Sequence, residues 1–210
     1  MFLAQTWNLN MNEIKPTFLP VNLVTDDIIL RCCDIFNADF QKVFNGKSPC
    51  IYPSRMRKYL VNHSYLSCMW YDDILTGYMI TEKINDDIIW IKQIVIKKEF
   101  RNRGLATELV RSLGRYKSIG IITNNPIMIK ILRSLGYTVI QEKSLYTNLY
   151  ENSVFKDITD LYEIKSIKFQ NDSFVALTHL INSQEIVHEV DITPLKLVIN
   201  GYEWILLFSR

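Results

Sequence analysis

Apolar and polar positions change period several times along the chain, and each change marks an element. Behind Thr25, a residue suited to capping, apolar residues recur at helical spacing through Ile28, Ile29, Cys32, Ile35 and Phe36. This pattern predicts a first helix that ends near Gly46. Pro53-Ser54 opens a second helix carrying Met56, Tyr59 and Leu60. Then Tyr65 to Trp70, Leu75 to Lys83 and Ile88 to Ile96 read as extended, separated by Asp72-Asp73 and by Asn85-Asp86-Asp87. Together they predict an antiparallel meander. Leu105, Leu109, Val110 and Leu113 share one stripe, which makes Gly104 to Tyr116 an amphipathic helix. Gly120 leads into a short strand, Ile121-Ile122. Asn125 at the cap and Pro126 at the first helical position start another helix that stops at Gly136, before a strand from Tyr137 to Ile140.

Beyond residue 150 the texture becomes wholly extended, with runs at 162–169, 174–181, 185–192, 195–199 and 202–208. Asn200-Gly201, between Leu195-Lys196-Leu197-Val198-Ile199 and Tyr202 to Phe208, is the strongest hairpin signal of the chain. The expected organisation is an irregular N-terminal segment over 1–20 with room for one short strand, an α/β domain over 21–145 and an antiparallel β extension over 150–210. No internal repeat interrupts it.

Composition narrows the class. The 210 residues are 48% hydrophobic and 22% charged, as in a globular chain with one principal core. No apolar run approaches the roughly 18 residues that cross a bilayer. The first ten residues lack the basic and apolar regions of a secretory signal, so a cytoplasmic location is expected. Met11 offers a second start, which leaves those ten residues as a variable tail or a lid strand. Cys32, Cys33, Cys50 and Cys68 form no C-x-x-C pair and have no His at zinc spacing; they read as reduced, buried small residues, with no metal implied. Charge is uneven. Lys97 to Lys117 holds seven basic residues against Glu99 and Glu108, a local excess of +5 in a chain of net charge +2. That focus suits a polyphosphate ligand, and a solvated helix face would give the same count.

The excess surrounds a loop, Arg101-Asn102-Arg103-Gly104-Leu105-Ala106-Thr107, that enters a helix. A pyrophosphate needs convergent N–H donors, and a helix start supplies unpaired amides and the positive end of the dipole. Gly104 permits close backbone approach, Ala106 keeps the next position small, and Arg101 and Arg103 add charge at the rim. The whole stretch from Ile94-Val95-Ile96 to Ala106 resembles the acetyl-CoA signature of the GNAT superfamily of N-acetyltransferases, Arg/Gln-x-x-Gly-x-Gly/Ala after an apolar strand. Asn125 to Tyr137 is similar to the second conserved helix of that family, with Asn125, Gly136 and Tyr137 in register.

The resemblance spans about residues 20 to 142. It implies a mixed α/β (α+β) fold with a mainly antiparallel central sheet flanked by helices, here carrying the β extension. It also implies acetyl-CoA as cosubstrate, pantetheine paired with the backbone at Ile94 to Ile96, and pyrophosphate at Arg101 to Thr107. Asn125 belongs to the same implied coenzyme site.

Two departures qualify the resemblance. Many family members carry a Tyr that protonates the leaving thiolate, and this chain has Leu132 there, which donates no proton. Where some carry a Glu on the strand before the signature, Trp90 stands, with Lys92 and Gln93 nearby. Substitutes for the missing acid and base are sparse. Tyr137 and Tyr146 are substitute acids; Glu82, Asp86 and Asp87 are carboxylates that a water chain could reach. His63, His179 and His188 are isolated, and His63 lies nearest the expected acceptor side.

The function expected is transfer of an acetyl group to an amine of unspecified class by direct attack in a ternary complex. The alternative is a GNAT-like domain that senses acyl-CoA or joins a protein assembly without turnover. The basic cluster lacks interleaved aromatics, which disfavours nucleic acid as a partner. The β extension offers a surface for a homodimer.

Overall fold

The computed structural model describes residues 14–39, 50–123, 125–140, 162–163, 176–180, 190–192, 195–197 and 202–210. Two prolines bracket β1 (Pro16–Pro20), an edge strand antiparallel to β2 (Ser64–Tyr71), where a missing N–H interrupts no central ladder. A short 3-10 turn leads to α1 (Asp26–Asp39), started by a Thr25 hydroxyl that accepts the Ile28 amide at 3.4 Å. The predicted continuation to Gly46 lies outside the described residues. Next comes α2 (Pro53–Tyr59), with Pro53 in its first turn, and the meander of β2, β3 (Ile74–Lys83) and β4 (Ile88–Ile96) follows as expected. Asp72 and Asp73 take positive φ, 47° and 61°, in the tight β2–β3 turn.

The amphipathic stretch after the basic loop is shorter than its stripe suggested. The helix α3 is Leu105–Arg111, and bonds from Leu113, Gly114 and Tyr116 to carbonyls three residues back tighten the chain beyond it. Leu113 is still buried, so the apolar stripe survives the change of geometry. Nor does Gly120 precede its strand. It lies inside β5 (Ser118–Thr123), opposite Trp90, whose indole needs the space a side chain would take. The helix predicted behind Asn125, α4 (Pro126–Ser134), is capped by Asn125 Oδ1, which accepts the Ile127 amide at 3.0 Å, and leads to β6 (Thr138–Val139).

Of the C-terminal strands, the structure describes β7 (Tyr162–Glu163), β8 (Ala176–Leu180), β9 (Val190–Ile192), β10 (Leu195–Leu197) and β11 (Tyr202–Ser209). The hairpin expected across Asn200-Gly201 does not form between the described strands: β10 pairs with β9 in a separate two-stranded sheet, and β11 enters the central one. There β11 pairs with β5 from Trp204↔Thr123 to Ser209↔Ser118, and its Leu206, Leu207 and Phe208 are fully buried. Their apolar surface finds more cover in the core than a two-stranded hairpin would give.

The result is a mixed, mainly antiparallel nine-stranded sheet of order β1-β2-β3-β4-β5-β11-β8-β7, with β6 on β11. Its parallel pair is β4–β5. Helices cover both faces. One apolar cluster joins α1 and α2 to the sheet through Ile29, Phe36, Met56 and Tyr78. The other joins α3 and α4 through Leu105, Leu109, Leu132 and Trp90.

Candidate functional site

The parallel ladder between β4 and β5 runs from Ile88↔Ser118 to Ile91↔Ile121 and then stops. β4 continues to Ile96 beside β3, and β5 continues to Thr123 beside β11. The sheet is therefore split between its two central strands, closed at one end and open toward the loop after β4. At the point of divergence the β3–β4 register slips between Ile80↔Gln93 and Thr81↔Ile91, leaving Lys92 without a partner on β3. It is a β-bulge, a device that bends one strand away from its neighbour.

Alternation decides which backbone groups face the split. The Lys97 amide donates to the Thr76 carbonyl at 2.9 Å, so Lys97 and Val95 turn their polar groups to β3. Ile94 and Ile96 turn theirs the other way, toward the gap that β5 has left. Of these, the Ile96 carbonyl accepts Arg101 Nε at 2.9 Å. The Ile94 N–H and C=O and the Ile96 N–H face the split with no strand opposite among the described residues.

The loop that closes the mouth is built from left-handed backbone. After a 3-10 turn at Lys98–Phe100, Asn102 has φ 60° and Gly104 has φ 82°. A side chain is strained at such angles, and glycine is not. A β-carbon built on Gly104 meets nothing within 4 Å, so its surroundings are open. Phe100 is buried and anchors the loop, and the Arg103 guanidinium lies over its ring at 5.9 Å. The Gly104 carbonyl accepts the Glu108 amide at 3.0 Å, the first turn of α3. Leu105 is buried, whereas Ala106 and Thr107 are part-exposed. Across the mouth stand the end of β5 and Asn125, whose amide donates to Thr123 Oγ1 at 2.9 Å and whose side-chain oxygen is occupied by the cap of α4. Ile94, Ile96, the 101–107 loop and Asn125 thus border one split, whereas Val95 bonds to β3 and buries its side chain under α1 and α2.

Of the three catalytic candidates, Tyr137 and His63 lie toward the closed end, and Glu82 stands beside the divergence. Tyr137 is 1% exposed, and its hydroxyl donates to the Tyr116 carbonyl at 3.2 Å. Burial pushes its phenol up, with Arg210, 4.4 Å over the ring, opposing. It precedes β6, which pairs with Phe208 and Ser209 and so stands level with Ile119 and Ser118, at the closed end. His63 is exposed and its carbonyl accepts the Lys83 amide, one step past Glu82 and level with Ile89. Glu82 pairs across the sheet with Trp90, just short of the divergence, and its carboxylate forms an ion pair with Lys92. Asp86 and Asp87 are bound to Lys83 and Lys117 in the β3–β4 turn. Tyr146 and His188 fall outside the described residues.

The departures from the family pattern are filled by core. Leu132 and Trp90 are both fully buried. Cys32, Cys33 and Cys68 are buried as expected, and Cys50 is not: it is exposed beside Ile51, whose side chain takes the buried place. A hydrogen bond to Cys68 and burial raise the Cys32 thiol, and burial raises that of Cys33 to about 11, so neither supplies a thiolate near neutral pH. Among the described residues no three His, Cys, Asp or Glu side chains gather as metal ligands, and no helix is long and apolar enough to cross a membrane.

Sequence reasoning missed the arrangement under the bulge. Lys92 Nζ pairs with Glu82 and donates to the Tyr59 carbonyl at 3.3 Å, and the Tyr78 hydroxyl donates to Gln93 Oε1 at 2.7 Å. The signal was present as two successive polar residues, Lys92-Gln93, inside the apolar run Ile88 to Ile96.

The model of the acetyltransferase (GNAT) family matches residues 29–137, just over half of the chain. Among solved structures, the ribosomal-protein-S18-alanine N-acetyltransferase from Escherichia coli is 11% identical with a TM-score of 0.48, covering 60% of this chain and 79% of that one. An acetyltransferase from Thermus thermophilus is 10% identical with a TM-score of 0.48, covering 61% and 90%. A Bacillus subtilis acetyltransferase solved in complex with CoA is 13% identical with a TM-score of 0.47, covering 94% of this chain and 99% of that one. The search of curated proteins returned no match.

Proposed function

The chain belongs to the GNAT acetyltransferase family, and from that premise we propose that it transfers the acetyl group of acetyl-CoA to an amine. The observation that carries the reading is the split after Ile91↔Ile121, where β4 turns the Ile94 N–H and C=O and the Ile96 N–H toward a gap that no described strand fills. An amide-containing arm such as pantetheine can pair with those groups as a strand would, at Ile94 and Ile96. The diphosphate then falls at the mouth, on the amides of the 103–107 loop and the cationic side chains of Arg101 and Arg103. The residues present fit the cosubstrate. That a β-carbon on Gly104 would meet no described atom within 4 Å supports this placement of the phosphates.

Acetyl-CoA supplies an activated acyl group. The amine nitrogen attacks the thioester carbon, the C–N bond forms, the C–S bond breaks and the thiolate leaves. A β4 amide facing the split polarises the carbonyl oxygen, and positioning of the two substrates contributes much of the rate. The amine proton passes to water. A thiol's ordinary pKa of about 8.5 makes thiolate a tolerable leaving group without the Tyr that Leu132 replaces.

A second reading, coenzyme binding without turnover, draws on the full burial of Leu132, Trp90 and the Tyr137 hydroxyl. Calorimetry with acetyl-CoA, followed by a thiol-release assay over a panel of amines, separates the two. Binding with turnover of at least one amine supports transfer. Binding without turnover of any amine supports the sensor, and absence of binding defeats both.

A further inference from the structure

The bulge at Lys92 is where β4 leaves β5, and the structure shows what lies beneath it. Lys92 is the first β4 residue that pairs with neither neighbouring strand: β3 skips it, and the β5 ladder ends at Ile91. A bulge of this kind turns two successive side chains toward one face. Here Lys92 and Gln93 both meet the α1–α2 side, through Tyr59 at the end of α2 and through Tyr78 and Glu82 of β3. The Lys92 side chain is 1% exposed and that of Glu82 is 16% exposed. An ammonium so placed is held only by its partners, because water does not reach it. Lys92 as a whole residue is nevertheless part-exposed. The exposed part is therefore its main chain, at the apex of the split.

Resting on the acetyl-CoA reading, we propose that Lys92 is a positioning residue whose buried ion pair with Glu82 and bond to the Tyr59 carbonyl hold the β4 bulge, and so hold the split open for the thioester. One ammonium ties together three elements: the bulged strand, β3 and the end of α2. Without it, Lys92 loses its reason to point inward. A regular β4 would then put residue 92 in register with β3 and extend the β4–β5 ladder into the gap. A one-residue slip of this kind also reverses which backbone groups face β5. The Ile94 amide would turn away from the coenzyme.

The test uses Lys92→Met and the double variant Lys92→Met/Glu82→Gln, which removes both charges and keeps similar volumes. Three quantities are read: the urea midpoint, the backbone amide spectrum without coenzyme, and acetyl-CoA affinity. The proposal expects the double variant to recover most of the midpoint lost by the single one. It expects both variants to shift the amide signals of Ile94, Ile96 and Ile121, and to bind acetyl-CoA at least tenfold more weakly than the unmodified chain. Recovery of both midpoint and affinity in the double variant would overturn it, because the pair would then be a stability element alone. Should the single variant not fold, the double variant carries the comparison. If the unmodified chain does not bind acetyl-CoA, the functional reading fails separately, and the amide spectrum still decides the clamp: unshifted Ile94, Ile96 and Ile121 signals in the folded double variant refute it.

Discussion

The indole of Trp90 lies directly against Gly120 across the β4–β5 pair, so close that a β-carbon built on the glycine would stand 1.9 Å from Cε3 and 2.1 Å from Cζ3. The contact is in the last rungs before the strands part, and Trp90 is fully buried there. A large side chain and an absent one together seal the closed end of the split. Gly120→Ala must displace the indole, an overpacking whose usual cost is about 1–3 kcal/mol. Urea unfolding should show a loss in that range. Gly120→Ala/Trp90→Leu should cost less than the sum of its single changes, since the smaller residue relieves the clash. Strict additivity would show that the two do not share one space.

Arg101 fastens the loop to the strand through Nε and the Ile96 carbonyl. Arg101→Met removes both this bond and a positive charge at the mouth. The bond is exposed, so its worth is discounted to about 1 kcal/mol for stability. Acetyl-CoA affinity should fall about tenfold, equivalent to roughly 1.4 kcal/mol. A change within twofold by calorimetry would show that Arg101 neither shapes nor contacts the coenzyme site.

At Gly104 the two candidate reasons for glycine separate cleanly. Gly104→Ala meets no atom but must adopt φ 82°, which costs about 1–2 kcal/mol of stability and little direct affinity. Gly104→Glu carries a similar backbone strain and adds bulk and negative charge toward the phosphates. Its acetyl-CoA affinity should fall at least tenfold below that of the Ala variant, as read by calorimetry on matched folded samples. Equal affinities would remove the phosphates from this loop.

Tyr78 and Tyr137 give the fold an alkaline limit. Burial raises both phenols above the ordinary 10.0, with Arg210 opposing at Tyr137. Above that pH the unfolded chain loses these protons while the folded chain keeps them, so stability falls with rising pH. The contribution is fully present below pH 10 and is lost as pH rises through the folded values. Urea midpoints should therefore decline as pH rises above the ordinary 10.0, and Tyr137→Phe should flatten that decline. An unchanged slope in the variant would place the phenol in water.

What the sequence disclosed about this molecule is mostly what neighbours along the chain decide. Asn125 and Pro126 cap α4 as their types require, Gly136 follows it with φ 85°, and Asp72-Asp73 make the β2–β3 turn. The loop around Gly104 was legible for the same reason, as a glycine among basic residues before a helix, while the left-handed φ of Asn102 and Gly104 came only from the structure. Pairings between distant segments were not legible. Trp204 to Phe208 is the same unbroken apolar run whether it folds on β10 or inserts beside β5, and only the burial of Leu206 to Phe208 in the core decides. The bulge was hidden because Lys92 and Glu82 are ten residues apart and each alone reads as a solvated charge. Tyr137 matched the family helix in register, yet its hydroxyl turned to Tyr116, a contact no spacing rule encodes.

The central claim is that acetyl-CoA lies in the split between β4 and β5. Titrating acetyl-CoA into isotope-labelled protein and following the backbone amides measures it most directly. The expected result is saturable shifts concentrated at Ile94, Ile96 and the 103–107 amides, with Lys83 and Tyr137 at the closed end little moved. Shifts centred on other residues, or none at saturating coenzyme, would contradict the account.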